Sequence, residues 1–368
     1  MIIVINTCSL LNGGTTEKAV FFKNCIHQIV KNNPNHSFIL ISDSNKDIVI
    51  LPPNLKEISI APTTKNLFRW KFWYAYSLPK ILKKHKADFF INIDCISVKN
   101  VSISQCLMVR DADTPANMGF GKKKPIEFLN RANLLITHSE MDKEAIAKKY
   151  TNITEKLFVI PLATNKYFDT LDYEEKENIK EKYTSGKEYF LCIGELSTEH
   201  NLIILLKAFS FFKKRQKSNM QLLLTTNKVL PDNAFIKSLA NYKYKAEVKL
   251  FFDLPQQEYV KIMAAAYVFV WPAVATNSYM SVLNAMQCGV PVIVNECVLL
   301  KEICGNASLF TIGGNFENLA DKMMLLFKDE NLRKLLIEKG LQQSSKYSLT
   351  NAASLFWQYL LNCEEISS

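Results

Sequence analysis

Short apolar runs alternate with longer segments of helical periodicity along the whole chain, and this alternation constrains the fold more than any other sequence feature. The short runs are rich in β-branched and aromatic residues, whereas the longer segments repeat their apolar residues about every 3.6 positions. Such a pattern is typical of parallel sheets covered by helices on both faces, so the sequence predicts an α/β, doubly wound, Rossmann-like fold. The predicted strands are Ile2–Asn6, Ser37–Ser42, Phe89–Ile93, Leu107–Val109 and Leu134–Thr137 in the first half, and Tyr189–Ile193, Gln221–Thr225, Val248–Phe252, Val268–Trp271 and Val292–Val294 in the second.

The pattern restarts near Thr164, which predicts two domains. A short apolar strand, Val159-Ile160-Pro161-Leu162, ends in a loop and is followed by a charged, helix-like stretch over 171–183 and then by Ser185-Gly186. The chain has 368 residues, of which 48% are apolar and 22% charged. At about 100–200 residues per domain, this is enough for two cores. Disorder and coiled coil are excluded as the dominant state.

The excess positive charge lies almost entirely in the first half. The formal net charge is +10, and residues 1–164 hold 22 basic and 13 acidic residues against 23 and 22 in the remainder. A basic half of the chain favours one of three binding partners: a nucleic acid, an anionic membrane surface or an anionic small substrate. No nucleic-acid-binding motif accompanies the lysines, so we expect an anionic or membrane-borne partner and no nucleic acid.

Cysteine usage and hydropathy indicate a cytoplasmic protein. The nine cysteines are odd in number and contain no C-x-x-C, so they predict buried thiols in a reducing compartment. The apolar start, MIIVINTCSLL, has no basic leader or cleavage site and predicts a first strand. The longest low-polarity run, 262–275, is broken by Pro272 and is shorter than the ~18 residues that span a bilayer.

A glycine pair follows the first predicted strand. Asn12-Gly13-Gly14-Thr15 precedes a helix that we expect to begin at Glu17, so backbone N–H groups and the helix dipole there can hold an anion. The same residues suit a tight turn from strand to helix, and they do not form G-x-G-x-x-G. Both interpretations stay open.

Two stretches of the second half carry a family resemblance: YFLCIGELSTEHNLIILL over 189–206 and VFVWPAVATNSYMSVLNAMQCGVPVI over 268–293. They resemble retaining GT-B glycosyltransferases of glycosyltransferase family 4, group 1. The segments THSEMDKEAI, similar to the last strand and helix of the acceptor domain, and LKEICGNA are also of this type. The resemblance implies two Rossmann-like domains facing a cleft: 1–164 on the acceptor side, 165–350 on the donor side, and a helix over 351–368 that crosses back to the first.

The resemblance implies transfer of a sugar from a nucleotide-sugar donor to a polysaccharide or lipid-linked acceptor, with retention and without a metal or cofactor. Family members hold the donor diphosphate with an Arg and a Lys five residues apart. An acidic pair contacts the sugar and the ribose hydroxyls. A diphosphate requires charged donors, and a ribose diol requires a bidentate acceptor.

The sequence departs from that pattern at every charged donor-site position. Glu195 and His200 replace the Arg and the Lys, and Thr276 and Asn284 replace the acidic pair. Arg110-Asp111 replaces the usual His-Asp after the fourth predicted strand. Losing two cation–phosphate contacts costs about 3–6 kcal/mol, or roughly 10²–10⁴ in affinity. We therefore expect weak or altered donor binding.

The expected site residues fall into three groups. Lys228 either approaches the nucleotide or is a solvated loop lysine, and Arg110 either faces the donor or pairs with Asp111 or Asp113. His138 either lines the site or is structural, and no His/Cys cluster has metal-ligand spacing. The catalytic candidates are Asp111, Arg110 and Thr276; the donor-binding candidates are Gly194, Glu195, His200, Lys228, Asn277, Ser278, Tyr279, Met280, Ser281 and Asn284; and the acceptor-side candidates are Gly13, Gly14, Thr15 and His138.

The segment Lys65–Lys86 interleaves seven basic residues with six aromatic ones. A basic, aromatic, amphipathic helix binds an anionic leaflet from the side, which predicts peripheral contact with the inner face of the membrane. The alternative is a core helix with its aromatic residues inward and its lysines outward. A second basic run, Lys122-Lys123-Lys124, predicts either a loop or an edge that touches lipid-linked acceptors.

Two hypotheses about function follow from these observations. The first is a hexosyltransferase of the kind that the resemblance implies. The second is a catalytically inactive GT-B relative that serves as a binding or partner subunit, because the donor-site Arg, Lys and both Glu are replaced.

Overall fold

The protein was analysed as a computed structural model, which describes residues 1–7, 17–42, 52–59, 67–93, 95–109, 125–164, 166–194, 201–226, 234–273 and 279–367. The chain forms two compact units. The first contains Met1–Ala163 and Leu349–Ser368, and the second contains Thr164–Ser348.

In the described part of the first unit, seven strands form a parallel sheet in the order β3-β2-β1-β4-β5-β6-β7. The strands are β1 Ile2–Asn6, β2 Ser37–Ser42, β3 Leu55–Ser59, β4 Phe89–Asn92, β5 Ser104–Met108, β6 Leu134–Thr137 and β7 Leu157–Val159. The helices are α1 Glu17–Asn32, α2 Leu67–Phe72, α3 Leu78–Lys84, α4 Pro125–Arg131 and α5 Glu140–Lys149, with a π-helical turn at Trp73–Ser77, a 3-10 turn at Thr151–Lys156 and the C-terminal helix, numbered α14, at Leu349–Ser367.

In the described part of the second unit, six strands form a parallel sheet in the order β10-β9-β8-β11-β12-β13. The strands are β8 Tyr189–Ile193, β9 Gln221–Thr226, β10 Val248–Phe252, β11 Val268–Trp271, β12 Val292–Asn295 and β13 Ser308–Thr311. The helices are α6 Tyr173–Thr184, α7 Leu202–Gln216, α8 Ala234–Ala240, α9 Gln256–Ala264, α10 Met280–Gln287, α11 Val298–Cys304, α12 Phe316–Lys328 and α13 Glu330–Ser345, with a 3-10 turn at Lys245–Glu247.

The central strands of both parallel sheets are mostly apolar. Every residue of β4, β8 and β11 is buried, as expected for strands covered by helices on both faces. In the second unit, Phe190 of β8 packs against Phe209 and Phe212 of α7, with ring centroids 6.4 and 5.0 Å away. The prediction of doubly wound α/β domains is therefore confirmed.

The ten predicted strands are all present, with ends displaced by up to three residues, but three strands were missed or misplaced. The edge strands β3 and β13 were not predicted, and the seventh strand is Leu157–Val159 rather than Val159–Leu162. Edge strands are harder to predict because they pair on one side only. In β3, Leu55 is buried but Lys56 is exposed. Two expectations are corrected. Arg110-Asp111 follows the fifth strand of the chain and not the fourth. Strand β6, which the resemblance implied to be the last of its domain, is followed by β7.

Helix α14 packs within the first unit, although it lies at the C-terminal end of the chain. Phe356, which is almost fully buried, meets Phe22 of α1 with ring centroids 6.4 Å apart. Trp357 contacts His36 at 5.0 Å and Phe38 at 6.3 Å between ring centroids. Among the described helices, none is long and apolar enough to cross a membrane.

We expect Phe356→Ala to lower the free energy of unfolding by about 3–5 kcal/mol, because it leaves a cavity between α14 and α1. Chemical denaturation measures the loss. Ser354 is exposed on the same helix, so Ser354→Ala is the control and should change stability by less than about 0.5 kcal/mol. Equal stability of the two variants would show that α14 is not anchored by this ring.

Candidate functional site

The second sheet reverses its strand order between β8 and β11. The chain winds outward from β8 to β10 and then returns to the other side of β8 at β11. Val268 and Phe269 pair with Phe190 and Leu191, so both strands end at the same edge. In open parallel sheets, ligands bind outside the carboxyl ends of the strands at such a reversal. This edge is the candidate site of the second unit.

Gly194 forms the exit from β8. Its N–H donates to the Thr225 carbonyl at 3.1 Å, which extends the β8–β9 ladder by one residue. Its φ of 152° lies where side-chain-bearing residues are rarely found. The chain can therefore leave the sheet close to its edge at this position.

Asn201 ties the start of α7 to the end of β11. It has a left-handed φ of 51°, and its Nδ2 donates to the Pro272 carbonyl at 3.1 Å. We did not predict Asn201 as a site residue, although it lies in the stretch 189–206 that carries the family resemblance. The residue type was a sequence signal for this backbone conformation, because Asn tolerates the left-handed conformation better than most residues.

Helix α10 follows β11 and carries the described donor-site candidates. Tyr279 precedes the helix and gives it no side-chain cap, while Met280 and Ser281 form its first turn. Asn284 is only 7% exposed, and its Oδ1 has no hydrogen-bond partner within the residues that the structure describes. A buried, unsatisfied polar atom costs about 1–3 kcal/mol. Asn284 Oδ1 therefore keeps an unused capacity to accept a hydrogen bond.

The remaining donor-side candidates lie outside the described residues, next in the chain to the ends of β8, β9 and β11. These candidates are Glu195, His200, Lys228, Thr276, Asn277 and Ser278. In the first half of the chain, several candidates also lie outside the described residues: Gly13, Gly14, Thr15, Arg110, Asp111, Asp113 and the run Lys122-Lys123-Lys124.

The first sheet has its own reversal, between β1 and β4, and a buried polar cluster occupies it. Asn6 ends β1 and Asn92 ends β4, and Asn6 Nδ2 donates to Asn92 Oδ1 at 2.9 Å. The Tyr74 hydroxyl accepts from Nδ2 of Asn6 at 3.1 Å and from Nδ2 of Asn92 at 3.2 Å. All three residues are buried. We did not predict this cluster, because its members lie 18 to 86 positions apart.

His138 directly follows β6 and is only 3% exposed. Its Nδ1 lies 3.0 Å from the Ile160 carbonyl oxygen, which only accepts, so Nδ1 carries the hydrogen. The Phe21 ring meets the imidazole at 89° and 5.8 Å. These contacts fix the orientation of the imidazole ring.

Burial excludes two nearby cysteines as nucleophiles. It raises the pKa of Cys192 in β8 and of Cys288 after α10 to about 12, so both are neutral thiols at neutral pH. Within the described ranges, no three His, Cys, Asp or Glu side chains are grouped so that they could hold a metal ion.

Comparisons with known proteins agree with this geometry. Residues 174–343 match the family model described as "Glycosyl transferases group 1". The chain is 21% identical over 282 residues to O-antigen chain mannosyltransferase B of Escherichia coli, covering 76% of this chain and 72% of that protein. It is 24% identical over 242 residues to the serotype-specific mannosyltransferase WbdA of Escherichia coli, covering 64% of this chain but only 29% of the relative.

Solved structures share the fold over the whole chain. A glycosyltransferase from Rickettsia africae superposes with a TM-score of 0.75 at 16% identity, covering 98% of each chain. Alr3699/HepE of Anabaena, in complex with UDP, superposes with a TM-score of 0.71 at 14% identity, covering 98% of this chain and 99% of the other.

These matches identify the class of protein. Residues 174–343 form a glycosyl transferases group 1 domain, and the chain has the GT-B fold. The chain is therefore a glycosyltransferase with a group 1 domain in its second unit, and the two curated relatives above are named as mannosyltransferases.

Asn201 provides a test of the geometry at the β8–β11 edge. Asn201→Gly keeps the left-handed backbone and loses only the hydrogen bond to Pro272, which we expect to cost about 0.5–1.5 kcal/mol. Asn201→Ala also forces an unfavourable backbone and should cost about 1–2 kcal/mol more. Chemical denaturation measures both variants. Equal stability of the two variants would contradict the left-handed conformation.

Tyr74 provides a second test. Tyr74→Phe removes the hydroxyl that accepts from Asn6 and Asn92, and we expect a loss of about 1–3 kcal/mol in the free energy of unfolding. Tyr76→Phe is the matched control, because Tyr76 is 59% exposed on the same helical segment. The control should be neutral, and an equal effect of the two changes would exclude the cluster.

Proposed function

We propose that this glycosyltransferase transfers a hexosyl residue, with mannose as the first candidate, from a nucleotide-sugar donor to a polysaccharide or lipid-linked saccharide. The second unit would bind the donor and the first unit the acceptor. Mannose is suggested by the curated relatives. The structural observation that carries the donor half of the proposal is the buried, unsatisfied Oδ1 of Asn284 on α10, the helix that follows β11.

Asn284 stands where the group 1 pattern has the carboxylate that binds the ribose diol. A donor hydroxyl would satisfy its Oδ1, and binding would remove the cost of leaving that atom buried without a partner. A neutral amide is a weaker acceptor than a carboxylate, so this contact would be weaker than in a pattern-conforming enzyme. This supports donor binding with reduced or altered affinity.

The diphosphate would need other partners, since Glu195 and His200 replace the expected cations. We assign this role to Lys228, to Arg110 and to the N–H groups in the first turn of α10, which favour anions. Helix α10 begins at Met280 without a side-chain cap, which leaves its N-terminus suited to a phosphate.

The transfer that we propose retains the anomeric configuration and uses no metal. An acceptor hydroxyl attacks the anomeric carbon as the bond to the donor phosphate breaks. The hydroxyl proton passes to the departing nucleoside diphosphate on the same face. Asp111, Arg110 and Thr276 would line the reacting centre, and Gly13, Gly14, Thr15 and His138 the acceptor side.

The protein would act in the cytoplasm, at the inner face of the membrane. Eight cysteines lie in the described ranges, and all are free thiols; seven of them are buried. Free thiols support a reducing compartment. The relatives named for O-antigen chains support a polysaccharide acceptor.

A panel of nucleotide sugars tests the proposal by calorimetry and by product analysis. We expect at least one donor to bind and to be transferred. Asn284→Ala should weaken donor binding about 5- to 30-fold, which corresponds to about 1–2 kcal/mol. Asn331→Ala makes the same change at an exposed position of α13 and should leave donor affinity unchanged.

The alternative is an inactive relative that serves as a partner subunit, and the four replaced donor-site side chains favour it. It requires that no donor binds until Glu195→Arg, His200→Lys, Thr276→Glu and Asn284→Glu are introduced together. Donor binding by the unchanged chain at millimolar or lower concentration excludes this alternative. Binding by the fourfold variant alone excludes our proposal.

A further inference from the structure

The helical segment over 67–84 presents two different aromatic faces. It comprises α2, the π-helical turn and α3 without interruption. Trp70, Trp73 and Tyr74 are buried and pack on one another with ring centroids 5.0–6.0 Å apart. These inward rings belong to the core of the first unit. The core-helix interpretation of the segment therefore describes only half of its aromatic residues.

The other three aromatic residues form an outward stripe, which we call the aromatic stripe. Phe68, Phe72 and Tyr76 are 77%, 57% and 59% exposed, and the Phe72 and Tyr76 rings lie 5.0 Å apart. Residues four apart drift by about 40° around an α-helix. The wider π turn, closed by the Leu78 N–H to the Trp73 carbonyl, offsets this drift and keeps Tyr76 in line with the stripe.

The stripe stands out from the rest of its unit. Among the described residues of the first unit, Val20 is the one other exposed large apolar side chain. Exposed aromatic residues in a contiguous group mark an interaction surface, since isolated exposed apolar residues are common but clusters are not.

Basic side chains flank the stripe, and no acidic residue occurs from residue 58 to residue 87. Arg69 and Lys71 lie between the stripe residues and are exposed. Lys80, Lys83 and Lys84 follow on α3, also exposed, and none of the three is ion-paired within the described part of the chain. A segment whose charged side chains are all basic favours an anionic partner. Interleaved aromatic residues and cations are suited to the boundary between headgroups and acyl chains.

The end of α3 adds a concave feature to this surface. A depression of about 420 Å³ is lined by Lys83 and Lys86 together with Leu82, Val101 and Ile103. Two cations beside an apolar floor match the chemistry of an anionic lipid, whose phosphate and acyl chain need both. The aromatic stripe and this depression therefore favour the same partner.

We propose that the aromatic stripe and its flanking cations dock the first unit on an anionic lipid bilayer. Tyr74 gives this docking a functional meaning, because it reaches from the same helical segment to Asn6 and Asn92 at the β1–β4 reversal. A helix with its side chains is about 10–12 Å across. The bilayer surface would then lie one helix diameter from the edge at which we propose that a lipid-linked acceptor binds. Only this last step rests on the proposed function.

Vesicle flotation tests the docking with the full chain. Wild-type protein should float with phosphatidylglycerol-containing vesicles and remain unbound with pure phosphatidylcholine. Salt at about 0.5 M should weaken the binding, because it screens the attraction between charges within a few ångström. Each basic side chain near an anionic surface strengthens binding about fivefold. The triple variant Lys80→Glu, Lys83→Glu, Lys84→Glu should therefore bind at least a hundredfold more weakly.

The apolar contribution is tested separately. Phe72→Ser with Tyr76→Ser should reduce vesicle binding at least tenfold, because two rings no longer enter the interface. Tyr167→Ser with Tyr173→Ser is the matched control, since these tyrosines are 61% and 79% exposed in the second unit. The charge control is Lys328→Glu with Lys334→Glu, at exposed positions of the second unit. Both controls should bind vesicles as wild type does.

Three outcomes overturn the proposal: equal binding of wild type to neutral and anionic vesicles, unchanged binding of the stripe variants, or a dimer that the stripe variants dissociate in light scattering. The last outcome would make the stripe an interface between copies. Donor binding in solution separates this test from that of the proposed function. Vesicle binding without donor binding overturns only the proposed function, whereas donor transfer without vesicle binding overturns only the docking.

Discussion

The backbone pairing of β8 with β11 holds the second unit together at the point where its strand order reverses. Because every strand in this sheet is parallel, that single pairing brings the carboxyl ends of strands far apart in sequence to one edge. Gly194, Asn201 and α10 all depend on it: the glycine leaves the sheet there, and the asparagine bonds to Pro272 across it. The pairing of β1 with β4 plays the same part in the first unit.

The two units differ in how their buried polar groups are satisfied. Asn6, Asn92 and Tyr74 bond to one another, so their cluster is satisfied within the first unit and stiffens its edge. Asn284 keeps an unsatisfied Oδ1. A satisfied network stiffens the edge that it occupies, whereas an unsatisfied buried acceptor can still take one more hydrogen bond.

Sequence reasoning was most accurate for buried strands and least accurate at edges and across long separations. Strands such as β8 and β11 could be located because both faces are apolar, whereas β3 and β13 pair on one side only. For Lys65–Lys86, the two interpretations of the sequence each describe half of the aromatic residues: Trp70 and Trp73 face the core, while Phe72 and Tyr76 face outward. Charge and aromatic content were readable in the sequence, but the division between the faces was not.

The amino-acid sequence by itself determined the alternation of strands and helices and the parallel sheets, because periodicity and residue identity are local properties. The tertiary structure alone decided that Asn6, Asn92 and Tyr74 meet, that Asn284 Oδ1 is buried without a partner, and that three aromatic rings face outward. Whether a polar atom is satisfied or a ring is covered depends on neighbours brought in by the fold from distant parts of the chain.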